Sequence, residues 1–195
     1  MGYLDNLCLN VALGETFVVV LRWGTDVLTS VPVTGITNAA PAVITADGHG
    51  MVTGWRASVV SAGGMNQINT NNYPPRERDW EAVSVLSSNT VALNDVNSAG
   101  YQPYTSGGFL VYSTPVVLTG ATAVMNILDN PNPEVGNVLL SLTNGSGITV
   151  DPVGMTITPS FSTVGLTWTT GYFSLQITLA SGVTTQVAAG TITIN

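Results

Sequence analysis

Lysine is absent from the 195-residue chain, and its basic residues are the four arginines Arg22, Arg56, Arg76 and Arg78. Against eleven acidic residues they leave a formal net charge of −7. Phosphate binding needs clustered cations to displace counterions, so DNA and RNA are not expected partners. Charge of either sign is scarce, at 8%, where an ordinary soluble domain carries about 25%. Hydrophobic residues stay at 45%, and Gly, Ser, Thr and Asn fill the gap. Long surface helices are usually solvated by Glu and Lys, whereas this composition suits short strands and tight turns. The expectation is an all-β chain.

A single cysteine, Cys8, rules out an internal disulfide. Lying between Leu7 and Leu9, it reads as a buried structural thiol rather than a nucleophile. A single histidine, His49, rules out a His-rich metal site, and a hydrolytic triad would have to be built around it. Asp47 is close in sequence, but "DGHG" is also a natural turn, which is the preferred reading. No G-x-S-x-G, H-E-x-x-H, Walker loop or dinucleotide fingerprint is present, and no cofactor is expected. The segment "MGYLDNLCLN" lacks the parts of a signal peptide, and no apolar run reaches the roughly 18 residues of a membrane span. A soluble protein made in the cytoplasm is expected.

What is present is alternation. "ETFVVVLRW" places Phe17, Val19, Leu21 and Trp23 on one face, a strand with a buried side. In "ATAVMNILD", Ala121, Ala123, Met125 and Ile127 alternate with more polar residues. "VLLSLTNGSG" offers Val138, Leu140 and Leu142 before the tight-turn pair Asn144-Gly145. The last segment reads as a hairpin, with Phe173, Leu175, Ile177 and Leu179 leading to a turn at Ala180-Ser181-Gly182. Its return strand starts on the phase of Val183, Thr185 and Val187 and ends on Ile192 and Ile194, so a bulge near Ala189-Gly190 is required. Between about Thr34 and Ser113 the texture turns Gly/Asn/Ala-rich, with five short strands in "PAVITA", "WRASVVS", "WEAVSVL", "TVALND" and "GFLVYS". The predicted architecture is a discontinuous β-sandwich (1–33 and 114–195) with an inserted small β-barrel-like domain (34–113).

The most charged stretch, "PPRERDWEAVSV", holds Arg76, Glu77, Arg78, Asp79 and Glu81. On one strand face Asp79 and Glu81 would lie roughly 6.6 Å apart, a glycosidase-like separation. The adjacent arginines would depress their pKa values and spoil the acid role. The preferred reading is a solvated or intersubunit loop, with Arg76, Glu77, Arg78 and Asp79 as contact residues. "DVNSAGY" holds Asp95, Asn97 and Gly100, a calcium-loop fragment without its closing acid, and reads as an Asx-rich turn. Tyr101, Tyr104 and Trp55, with Tyr73 and Trp80, are candidates for a glycan-stacking platform, although packing of a small barrel is the favoured role.

The middle segment also carries a "TA-x-x-HG" turn, a "GGM-x-x-(I/L)N" loop, an "NT-x-x-L" strand and a closing "GY-x-x-YTSGG". As a set over about eighty residues, these resemble a module common in bacteriophage tail and fibre-associated proteins. That module looks like the all-β first catalytic cysteine half-domain of ubiquitin-activating enzymes. The resemblance carries no enzymatic role here, because the segment has no cysteine, and the insertion "TNNYPPRERDWEA" departs from shorter versions. The flanks "GETFVVVLRW", "TPVVLTGATAVMNILD" and "WTTGYFSLQIT" resemble the β-sandwich of phage tail, baseplate and fibre-attachment proteins, with Met125 and Leu128 replacing basic residues of its third strand. The resemblance implies a non-enzymatic structural protein of the virion tail, neck or baseplate, assembled in the host cytoplasm. Its implied partners are other virion proteins and copies of itself. A receptor- or glycan-binding adhesin is the alternative.

Overall fold

A computed structural model describes residues 4–195, with side chains from Leu7 onward. The chain is all-β. Its strands are β1 (Leu4–Val11), β2 (Thr16–Val18), β3 (Gly24–Pro32), β4 (Gly35–Ile36), β5 (Ala42–Thr45), β6 (Arg56–Val60), β7 (Glu81–Ser87) and β8 (Thr90–Leu93). They continue as β9 (Phe109–Pro115), β10 (Thr122–Leu128), β11 (Val138–Asn144), β12 (Gly147–Asp151), β13 (Thr156–Ser162), β14 (Thr170–Thr178) and β15 (Thr184–Ile194). Two compact units result: one from the segment ending at Gly24 together with Pro115–Asn195, the other from Thr25–Thr114.

The first unit is one ladder in the order β1-β15-β14-β10-β11-β12-β13-β2. Between β11 and β12 the ladder is joined only at Thr143↔Gly147 and Asn144↔Ile148. A true parallel crossover needs a dozen or more residues, so the chain turns a corner here. Thr143 and Ser146 exchange both backbone hydrogen bonds, each 2.8 Å, around Asn144-Gly145, the turn expected from that dipeptide. The corner folds the ladder into two layers, because Met125, Ile127, Leu175, Ile177 and Ile192 of one part share a buried cluster with Phe17, Ile148, Ile157 and Phe161 of the other. This is the sandwich core. Each such side chain contributes about 1.5–3 kcal/mol through removal from water.

Phe17, Val19, Leu21 and Trp23 all face this core, while Val18 and Val20 are exposed. The strand is nevertheless only three residues long. Its partner explains the break: Val19 donates to the Pro159 carbonyl at 3.2 Å, and a proline has no N–H to return the bond. Pairing resumes at Leu21↔Ile157.

The final hairpin forms around Ala180-Ser181-Gly182, with Gly182 at φ 84°. Its bulge lies slightly earlier than expected: Leu175 pairs with Ala188 and Gln176 with Gln186, which makes Val187 the extra residue. The phase flips there, burying Val187 and Ala188 in succession and then Ile192 and Ile194. Val183 does not face inward and is exposed. Val138 is also exposed, because a register shift between Ile127 and Leu128 leaves Leu139 unpaired and turns Val138 off the face. Cys8 is exposed as well. β1 alternates like any strand, so Leu7 and Leu9 pack on the core and Cys8 points the other way.

The second unit has the order β3-β9-β6-β7-β8-β5-β4. All five strands expected in the middle segment are present, as β5 to β9. The end strands β3 and β4 are consecutive in the chain, and the residues joining them hold both margins: Val33 donates to Gly108 O at 3.0 Å and Thr34 to Thr45 O at 2.9 Å. The sheet therefore curls until it nearly closes. Ala42, Ile44, Met65, Val83, Val91 and Leu110 fill it and are fully buried. Residues 25–33, expected in the sandwich, belong to this unit, since β3 lies beside β9 and Thr29 Oγ1 meets Thr114 Oγ1 at 2.7 Å.

Candidate functional site

The four motifs of the middle segment form two clasps. In the first, Gly63 donates to Ser106 O at 2.8 Å and Thr105 to Gly63 O at 2.9 Å, which joins the "GGM" loop to the "YTSGG" loop. The approach is so close that a Cβ on Gly64 would sit 2.3 Å from the Pro103 carbonyl and one on Gly108 2.8 Å from Ala62. Asn69 completes the loop by imitating a strand, accepting from Ala62 N at 2.7 Å and donating to Ala62 O at 2.9 Å. Tyr104 lays its hydroxyl between Val33 O (2.9 Å) and Gly107 O (3.0 Å), so it braces the turn that leads into β9.

The second clasp surrounds His49. Its Nδ1 accepts from Met51 N at 3.0 Å, which leaves Nε2 to donate to Ser87 O at 3.0 Å. His49 is buried while Asp47 is exposed, and with both ring nitrogens on backbone partners no His49/Asp47 dyad forms. Asn89 adds an acceptor for Gly48 N at 3.2 Å. The Tyr112 hydroxyl donates to His49 O, and burial pushes its pKa above the ordinary 10.0.

The remaining aromatics divide. Trp55 is 5% exposed and donates its indole N–H to Ser113 O at 3.0 Å, so it cannot offer a ring face to a sugar. Trp80 and Tyr101 are half-buried, while Tyr73 and Phe109 are exposed. "DVNSAGY" forms the expected Asx turn, with Asn97 Oδ1 accepting from Ala99 N at 3.1 Å. Ser98, which sequence reasoning did not single out, is fully buried. Its hydroxyl donates to Thr37 O at 2.7 Å and accepts from Ala39 N at 3.1 Å.

The charged stretch folds into a single 3-10 turn at Glu77–Asp79. Asp79 holds it from inside. Its carboxylate accepts from Arg76 N at 2.7 Å and Asn72 Nδ2 at 2.9 Å, and its carbonyl accepts from the Ser58 hydroxyl. Asp79 is thus a fastener rather than an outward contact, its side chain only 13% exposed. The Arg76 N–H bond leads in holding its pKa below the usual 3.8; burial opposes this, and Asn72, Thr70 and the Arg78 charge add to the lowering. A carboxyl kept ionised in this way is unsuited to act as a general acid with Glu81. Arg76, Glu77 and Arg78 face solvent, with Glu77 paired to Arg56 at 2.5 Å.

Two clefts flank the loop that precedes this turn. The smaller, about 220 Å³, is lined by Arg78, Asp79, Glu81 and Tyr101 among others. The larger, about 410 Å³, is lined by Ser30, Val60, Ser61, Thr70, Asn71, Asn72, Tyr73 and Phe109. Among the described residues, no three His, Cys, Asp or Glu side chains are gathered to hold a metal ion, and no helix is long and apolar enough to cross a membrane. Compared with known protein families and with curated proteins, the chain matches none.

Proposed function

We propose that the protein is a structural component of a bacteriophage virion, in the tail, neck or baseplate, where it docks a fibre or forms its base by protein-protein contact. The virion assignment rests on the sequence resemblance of both segments. The observation that carries the assembly role is an exposed apolar pair at the end of a sheet. β2 ends the eight-stranded ladder; its Val18 is 56% exposed, and Val20, just beyond it, 53%. The three-residue strand offers little backbone for pairing, so a neighbour would meet these side chains rather than extend the ladder, and the chain has no lysine to set among them. An apolar pair of this kind suits a neighbour that covers it. The loop surface of Arg76, Glu77 and Arg78 supplies a second, polar contact.

Size-exclusion chromatography with light scattering tests the assembly role. A stable oligomer is expected, broken by Val18→Lys with Val20→Lys and weakened by Arg76→Ala with Arg78→Ala. A monomer at all concentrations, together with its absence from a cryo-EM map of the parent virion, would defeat the reading. Of the Tyr101, Tyr104 and Trp55 set on which the adhesin alternative is framed, the Tyr104 hydroxyl and the Trp55 ring are committed to internal packing.

A further inference from the structure

The larger cleft contains the two aromatic rings whose exposure the fold does not explain. Tyr73 is 68% exposed and Phe109 43%, although packing consumes Trp55 and Tyr112 a short distance along the chain. The floor is rigid because it is sheet: Phe109 of β9 pairs with Val60 of β6, and Ser30 lies on β3, the other neighbour of β9. One wall is the loop 70–73. Thr70 N donates to Val59 O at 2.8 Å, Asn72 N to Thr70 Oγ1 at 3.2 Å, and the Asn72 amide to Asp79 at 2.9 Å. These bonds fix the segment that carries Tyr73. Ser61 closes the end of β6 in the left-handed region, at φ 59°.

The chemistry of the lining is consistent throughout. It offers two ring faces, the amides of Asn71 and Asn72 and the hydroxyls of Ser30, Ser61 and Thr70, with no charged side chain. Ring faces stack on the apolar C–H faces of a pyranose, while amides and hydroxyls exchange hydrogen bonds with its hydroxyl groups. An uncharged lining gives an anionic or cationic ligand no counter-charge to replace its lost hydration. The volume, about 410 Å³, falls in the usual range for small-molecule sites and has room for roughly two sugar rings. From this geometry we infer that the Tyr73/Phe109 cleft is a binding site for a neutral saccharide, seated on Phe109 and covered by Tyr73. The site takes Tyr73 from the platform expected from sequence but sets it with Phe109 instead of Tyr101, Tyr104 and Trp55, and it does not depend on the virion assignment.

The test uses the full chain on an array of neutral and sialylated glycans, with the best neutral binder then titrated by saturation-transfer NMR. Binding to neutral glycans is expected, weakened about fivefold to tenfold by Tyr73→Ala, the stacking loss being the dominant one. Asn71→Ala should weaken it as well, and Tyr101→Ala should leave it unchanged. Both Tyr73 and Asn71 are exposed loop residues, and unaltered thermal unfolding of the variants checks that the loss is local. Failure to bind any neutral glycan, binding confined to sialylated glycans, or binding indifferent to Tyr73→Ala would each overturn the inference. None of these results bears on oligomeric state, so the assembly role stands or falls separately.

Discussion

Gly64→Ala should be among the most damaging single-methyl changes in the inserted unit. Gly64 sits at φ +80°, where a Cβ would stand 2.3 Å from Pro103 O, 2.8 Å from Thr105 Cγ2 and 2.9 Å from Thr105 N. The left-handed backbone alone costs a non-glycine residue about 1–2 kcal/mol. Two of the three close atoms are backbone and cannot rotate away, so the 103–106 loop must retreat. That retreat sacrifices the Gly63–Ser106 and Thr105–Gly63 hydrogen bonds, each worth about 1 kcal/mol. The sum is roughly 3–4 kcal/mol. Gly48→Ala is the matched control, with φ +64° and nothing within 4 Å of its Cβ; it should cost only the conformational part, about 1–2 kcal/mol. Native-state hydrogen exchange at the amides of β6 and β9 isolates this unit even if the sandwich unfolds separately. Equal losses from the two substitutions would show that the loops are not held against each other, and the reasoning would be wrong.

Three further outcomes are expected. Tyr104→Phe should lower the stability of the same unit by about 0.5–1.5 kcal/mol, the value of one hydroxyl bond, measured by urea denaturation; no change would mean that Val33 O and Gly107 O are satisfied by water. His49→Leu should cost about 2–4 kcal/mol, since it leaves Met51 N–H and Ser87 O without their ring partners, and recovery with His49→Gln would show that hydrogen bonding rather than shape is at stake. Acid should loosen two loops. The Asp79 carboxyl is held below its unfolded value, and so is that of Asp129, first by the Asn137 side chain and then by its N–H. Each therefore stabilises fully above the unfolded value near 3.8 and loses that contribution as pH falls through the lowered folded value. The protection factors of the Arg76 and Asn137 amides, taken against the intrinsic exchange rate at each pH, should fall on acidification across that window, and protection that stays flat to pH 2 would contradict the assignment.

Where one face of a strand meets a core and the other meets water, its alternation was readable directly, as for β10 and β14. The need for a bulge in β15 was legible too, because two halves of one strand cannot bury opposite phases without it, though its place at Val187 depends on β14. Other features needed partners that local sequence does not display. β2 is cut short by Pro159, far away in the chain. Residues 25–33 could not be assigned to the inserted unit, since the burial of β3 follows no clean period and its neighbour β9 lies beyond the whole insertion. Cys8 was misplaced because its apolar flanks were read as an environment, when in a strand they are the opposite face. At the candidate site, packing was the favoured role for Tyr104 and Trp55 and their internal hydrogen bonds agree with it, but Asp79 was read as a contact residue, an outward role that its own hydrogen bonds exclude. Phe109 was read only as part of a strand, and nothing local marks which of its residues faces out.

Val116 donates to Trp23 O at 3.0 Å, which places the two ends of the sandwich's interrupted chain one hydrogen bond apart. To the sandwich, the ninety residues Thr25–Thr114 are therefore equivalent to a hairpin loop. A host of this kind tolerates exchange of whatever is strung between those two residues, including its replacement by a plain tight turn. The insertion is a cartridge clipped in at a single rung: its content can change without moving the sandwich strands that close the gap between Trp23 and Val116.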